Sequence, residues 1–119
     1  MRASTETRYP NCLPATWLAE RLGTSPARID AMRRAGELMA VREQGSLEWL
    51  YPAWQFEHWK PRPGLARIVT AARAAGLDEA ELYDVLTAPL GLSGGQRRRL
   101  VDLLVEGRVD EVVEAVRAA

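Results

Sequence analysis

A chain of 119 residues, 47% of them hydrophobic, has room for one ordinary domain or two small ones sharing a core, and is too apolar to be disordered. Its 16 basic and 16 acidic side chains cancel, so no global field draws it to nucleic acid and any such contact must come from a local patch. A single cysteine, Cys12, excludes an intrachain disulfide framework, and with no apolar run of about 18 residues and a polar Met1 to Pro10 in place of a signal peptide, a cytoplasmic protein without a membrane partner is expected.

Residues 1–12 read as a loose arm. Pro14 opens a helical pattern with Trp17, Leu18 and Leu22 on one face, and Gly23 stops it. Ser25 suits the N-cap and Pro26 the first position of a second helix, whose apolar face is Ile29 and Met32 and which Gly36 ends. Two short helices across a tight glycine-containing turn make a helix-turn-helix. Leu38-Met39-Ala40-Val41 and Leu47-Glu48-Trp49-Leu50-Tyr51 flank the polar turn Arg42-Glu43-Gln44-Gly45-Ser46, which predicts a β-hairpin, placed as a wing. Pro52 ends its second strand, and the aromatic-rich run Ala53 to Trp59 suggests a short helical turn. Lys60-Pro61-Arg62-Pro63-Gly64 predicts a linker, neither helix nor interior strand.

The pattern from Leu65 onward is helical. Leu65, Ile68, Val69 and Ala72 form a stripe closed by Gly76. Asp78 and Glu81 stand at capping-box spacing, with Leu77 and Leu82 as staple, before a helix that buries Leu82, Val85 and Leu86 and runs to Pro89. Leu100, Leu103 and Leu104 mark a third helix, ended by Gly107, and Val109, Val112, Val113 and Val116 give a final helix a complete apolar stripe. The expected fold is mainly α: a winged helix-turn-helix over 13–59 with a small β-hairpin wing, a linker at 60–64, and a helical C-terminal module for dimerisation or partner binding over 65–119.

With Ile29 and Met32 packed inward, Ala27, Arg28, Asp30, Ala31, Arg33 and Arg34 are expected to face outward, toward a major groove. Arg28, close to the helix start at Ser25, suits a bidentate contact to guanine, and Arg33 and Arg34 suit phosphate. Arg42 and Gln44 in the wing would reach backbone or minor groove, while Asp30 opposes phosphate on the same face. The alternative is a solvated basic face on an ordinary helical hairpin. Charge leans the same way, since residues 1–64 carry +2 and residues 65–119 carry −2. Five of the eight aromatics, Trp49, Tyr51, Trp54, Phe56 and Trp59, crowd one stretch, and a hydrophobic joint between wing and helical module explains them better than base stacking.

Leu92-Ser93-Gly94-Gly95-Gln96 matches the signature sequence of ABC-transporter ATPases, but no Walker A loop accompanies it: the only lysine, Lys60, sits between Trp59 and Pro61. Ser93 and Gln96 instead have capping-box spacing, which leaves Arg97, Arg98 and Arg99 as a solvated basic turn. His58 is the only histidine and Cys12 the only cysteine, so no Cys/His metal site, cofactor or enzyme chemistry is expected. On the last helix Asp110, Glu111 and Glu114, with Arg108 at its start, flank the valine stripe. Such a negative flank suits a basic groove on a protein partner, the alternative being a solvated face.

The run Leu18-Ala19-Glu20-Arg21-Leu22-Gly23-Thr24-Ser25, then Ile29 and Arg34-Ala35-Gly36-Glu37-Leu38, resembles the start of MerR- and excisionase-like winged helices. Tyr51-Pro52-Ala53-Trp54-Gln55-Phe56 with Pro63-Gly64-Leu65, and the ending from Leu103 to Val112, resemble the toxin-binding region of Xre/MbcA/ParS antitoxins, whose partners are often RES-domain toxins that degrade NAD. The layout is also similar to actinobacterial winged-helix DNA-binding proteins with a helical C-terminal extension. Helix-turn-helix, wing and resemblances together predict a double-stranded-DNA-binding transcriptional regulator, a homodimer because one winged helix buries little DNA surface, and the antitoxin resemblance implies that it represses its operon and binds a toxin through its C-terminal helices. The alternatives are a regulator or nucleoid-associated protein without a toxin, and an adaptor whose helix-turn-helix binds only protein.

Overall fold

The computed structural model describes residues 9–89 and 98–119. Its fold is mainly helical with small antiparallel pairings. Strand β1 (Cys12–Pro14) leads into α1 (Ala15–Leu22). Gly23 ends α1 at φ 69°, a left-handed conformation that glycine takes without a Cβ penalty. The N-cap Ser25 accepts the Arg28 N–H at 3.2 Å and Pro26 fills the first position of α2 (Pro26–Arg34), as the sequence predicts.

The expected hairpin differs. Its second half pairs mainly with the N-terminal segment: β1 runs antiparallel to β2 (Leu50–Pro52), with Leu13 opposite Tyr51. The expected wing ladder shrinks to one bridge, in which Val41 and Leu50 exchange both hydrogen bonds at 2.8 Å. The reason lies in the run 38–41, whose four side chains are all buried, leaving no solvent face for an alternating strand. The main chain of Met39 bonds to a side chain instead: Gln55 Oε1 accepts its N–H at 2.9 Å and Gln55 Nε2 donates to its carbonyl at 2.9 Å and to that of Pro52 at 3.1 Å.

A single 3₁₀ turn (Ala53–Gln55) is followed by β3 (Phe56–Glu57) and β4 (Lys60–Pro61), paired antiparallel around His58 and Trp59, both at positive φ. The stretch expected as a linker therefore begins as an edge strand, where proline's missing donor is tolerated. It is also tied back to the front half: the Arg62 N–H donates to the Gln55 carbonyl at 2.8 Å and Arg62 Nε to the Trp54 carbonyl at 2.7 Å.

Helices α3 (Leu65–Ala74), α4 (Glu79–Thr87), α5 (Leu100–Val105) and α6 (Val109–Arg117) follow. Gly64 caps α3 at φ 86°, and a Cβ there would lie 2.4 Å from Val109 Cγ1, so this glycine is required by both conformation and space. The Asp78/Glu81 capping box forms in both directions at 2.8 Å. At α5 the Asp102 carboxylate accepts the Arg99 N–H at 2.9 Å. The expected Ser93/Gln96 box, with the string Leu92 to Gln96 and Arg97, lies outside the described residues.

Two apolar clusters result. One joins Leu18, Ala19 and Ile29 of α1 and α2 to Leu38, Ala40, Tyr51, Phe56 and Leu65. The other joins the inner faces of α3 to α6, including Val112, Val113 and Val116, and takes in Tyr9, Met39 and Val41. Each cluster thus draws residues from both sides of 60–64. In the module expected to serve dimerisation or partner binding, Leu100, Leu103 and Leu104 of α5 and Val112, Val113 and Val116 of α6 are buried in the second cluster, while Val105 is exposed.

Candidate nucleic-acid interface

Helix α2 divides its arginines. Arg28, in the first turn beyond Ser25, is exposed and makes no ion pair among the described residues. Arg34 is 66% exposed at its side chain and pairs with Asp30 across 2.9 Å. Arg33, expected on the outer face, is turned inward, with its side chain 14% exposed. It lies four residues after Ile29, which places it on the packed side. There it pairs with Asp30 and lies over the Trp49 ring at 4.2 Å from the centroid. Its buried Nε has no hydrogen-bond partner among the described residues. Arg33 is therefore a structural cation and not a free phosphate ligand. The hydrogen bond from Arg33, with the charges of Arg33 and Arg34, holds the Asp30 carboxyl below the usual range, so it stays ionised between the two arginines that pair with it.

Arg42 is exposed and lies over the Trp49 ring at 4.4 Å from the centroid, so one indole touches guanidinium groups from both α2 and the segment after Val41. Gln44 is exposed in the turn with Gly45. Ser46 stiffens that turn, its N–H donating to the Glu43 carbonyl and its Oγ accepting the Glu48 N–H, both at 3.0 Å. Leu47 beside it is 88% exposed.

Residues far apart in sequence support this surface. Arg73 of α3 donates to the carbonyls of Arg33 (3.1 Å) and Arg34 (3.3 Å), so a cation caps the negative end of α2. The aromatic stretch does sit at the joint: Tyr51 and Phe56 are buried in the first cluster, Trp49 and Trp59 pack against it, and Trp54 packs against the second, 6.2 Å from Tyr83. Cys12 is half-buried, which pushes its thiol up to about 12 and keeps it un-ionised at neutral pH.

The C-terminal candidates are brought together, but with one another and with neighbouring arginines. Arg108 makes a bidentate pair with Glu111 (2.6 and 2.7 Å) and also approaches Glu106 at 3.5 Å. Asp110 pairs with Arg67 of α3 at 2.8 Å, and Glu114 with Arg117 at 3.1 Å. The flank of α6 expected to be negative is thus neutralised within the chain. Among the described residues no helix is long and apolar enough to cross a membrane.

No family model and no curated protein matches the chain. Among solved structures it is similar to the NMR structure of Rv2175c, with a TM-score of 0.76 at 22% identity, over 98% of this chain and 85% of that one. At that identity the likeness is one of fold.

Proposed function

We propose that the chain binds double-stranded DNA as a winged helix-turn-helix protein, with α2 in the major groove, the 42–49 loop as the wing, and gene regulation as its role. The observation that carries this reading is Arg28. It is a free, exposed guanidinium on the first turn of a capped helix that follows a tight Gly23 turn, the position from which such helices read base edges. Arg34 and Arg42 flank it as phosphate ligands, and Ser25 shapes the helix start that presents it. Two copies on a two-fold site belong to the proposal, because one small module buries little DNA surface. Their seam is not the valine stripe of α6, which is spent on the core. The antitoxin role gains no comparable support, since Arg108, Asp110, Glu111 and Glu114 find their ionic partners within the chain.

The test is a titration of labelled genomic duplexes at several salt concentrations. Wild type should bind with affinity that falls steeply with salt, and Arg28→Ala should cost about 1–3 kcal/mol on a preferred site and relax its sequence preference. Absence of binding at low salt, or binding indifferent to Arg28, Arg34 and Arg42, removes the proposal.

A further inference from the structure

Beyond the Val41–Leu50 bridge, the backbone hydrogen bond that crosses the 42–49 segment among the described residues is the turn bond from the Ser46 N–H to the Glu43 carbonyl, and none joins Arg42 to Trp49. The next pair outward is Arg42 and Trp49, and here side chains take over. The indole of Trp49 carries the Arg42 guanidinium at 4.4 Å and that of Arg33 at 4.2 Å. Arg33 is itself fixed by its ion pair with Asp30 and by burial, its side chain 14% exposed. A continuous chain of contacts, Asp30–Arg33–Trp49–Arg42, therefore runs from α2 to the wing. The other wall of the cleft holding Arg42 and Trp49 is formed by Asp78, Glu79 and Ala80 at the start of α4, around a volume of about 150 Å³.

We infer that Trp49 is a positioning residue that holds Arg42 where it meets the DNA backbone; this rests on the DNA-binding reading above. Stacking occupies the flat face of a guanidinium, while its five N–H donors point outward in the plane. Arg42 can therefore keep its place on the indole and still present donors to a phosphate. Placement matters because the loop has no attraction for DNA of its own: Arg42 is outnumbered by Glu43 and Glu48, and Asp78 and Glu79 lie across the cleft. An Arg42 released from the ring has Asp78 and Glu79 across the cleft to fold toward. Held on the ring, it extends the cationic surface begun by Arg28 and Arg34.

The experiment is a double-mutant cycle on the full chain, with a duplex that wild type binds at low salt. Arg42→Ala should weaken binding about three- to tenfold and flatten the slope of log K against log salt by about one. Trp49→Leu should do the same with Arg42 still present, and adding Arg42→Ala to Trp49→Leu should change affinity less than about twofold. Trp49→Tyr, which keeps a π face, should retain most of the affinity, and Arg28→Ala should cost the same in all backgrounds. If Arg42→Ala costs as much without Trp49 as with it, the positioning role is wrong while DNA binding stands. If wild type binds no duplex, the DNA reading and this role fall together. NMR of the free protein checks the contact separately: the δ-methylene protons of Arg42 should be ring-shifted in wild type and released in Trp49→Leu, and unshifted protons in wild type overturn the role irrespective of DNA.

Discussion

Gln55 and Gly64 show what single residues contribute to the frame behind the candidate interface. Gln55 is fully buried and meets all three of its bonds, two of them to the main chain of Met39. Gln55→Leu should cost about 2–4 kcal/mol, because it strands a buried N–H and a buried carbonyl, and urea unfolding measures the loss. Gly64→Ala should cost about 2–4 kcal/mol from positive φ and from the clash with Val109, and Val109→Ala in the same chain should recover the steric share only. Cys12, Tyr51 and Tyr83 are all raised, chiefly by burial. Their folded forms hold protons that the unfolded chain gives up, so for Cys12 stability is fully present below about pH 9 and is lost as pH climbs toward about 12. Cys12→Ala should lessen this alkaline loss in pH-dependent melts. Local residue roles such as Ser25 and Asp78/Glu81 are legible in sequence because the bond closes within three residues. The roles of Gln55, Arg62 and Arg73 are not, because their partners lie up to 40 positions away.

Helices were the most legible elements, since each carries its own period and punctuation. Serine, proline and glycine bracket α2, and the capping box opens α4; Asp78→Ala should cost about 1 kcal/mol in thermal unfolding. The strand pairing differs from the expected hairpin because four consecutive apolar residues, Leu38 to Val41, fit a buried crossing as well as a strand, and nothing local shows that Leu50 to Pro52 would choose Cys12 to Pro14 as partner. Arg33 was misplaced for a different reason: its charge suggested solvent, whereas its spacing from Ile29 placed it inward, where Asp30 and Trp49 receive it. On the proposed DNA-binding reading, Asp30 lowers affinity by holding Arg34 in an ion pair. Asp30→Asn should release Arg34 yet leave an oxygen to hold Arg33, strengthening binding and steepening the salt slope by about one. Unchanged affinity and slope in that variant mean that Arg34 does not meet phosphate.

Across the whole molecule the two apolar clusters interlock, with Leu65 of α3 lodged among the front helices and Tyr9, Met39 and Val41 among the rear ones. Sequence pattern marks the Pro/Gly stretch at 60–64 as a boundary, but it cannot show that packing crosses it. Tryptophan fluorescence, which reports mainly residues 17–59, and helical circular dichroism should therefore trace one coincident unfolding transition. The same arrangement sets the charged surfaces apart: Arg28, Arg34 and Arg42 around α2 and the 42–49 loop, and a self-paired surface on α6. The central claim, that the first of these meets DNA, is tested most directly by following backbone amide resonances while a duplex is added at low salt. Shifts should concentrate at residues 25–34 and 42–49, grow with added duplex and reverse with salt, while α6 stays unmoved. Shifts confined to α5 and α6, or a spectrum that ignores the duplex, would contradict it.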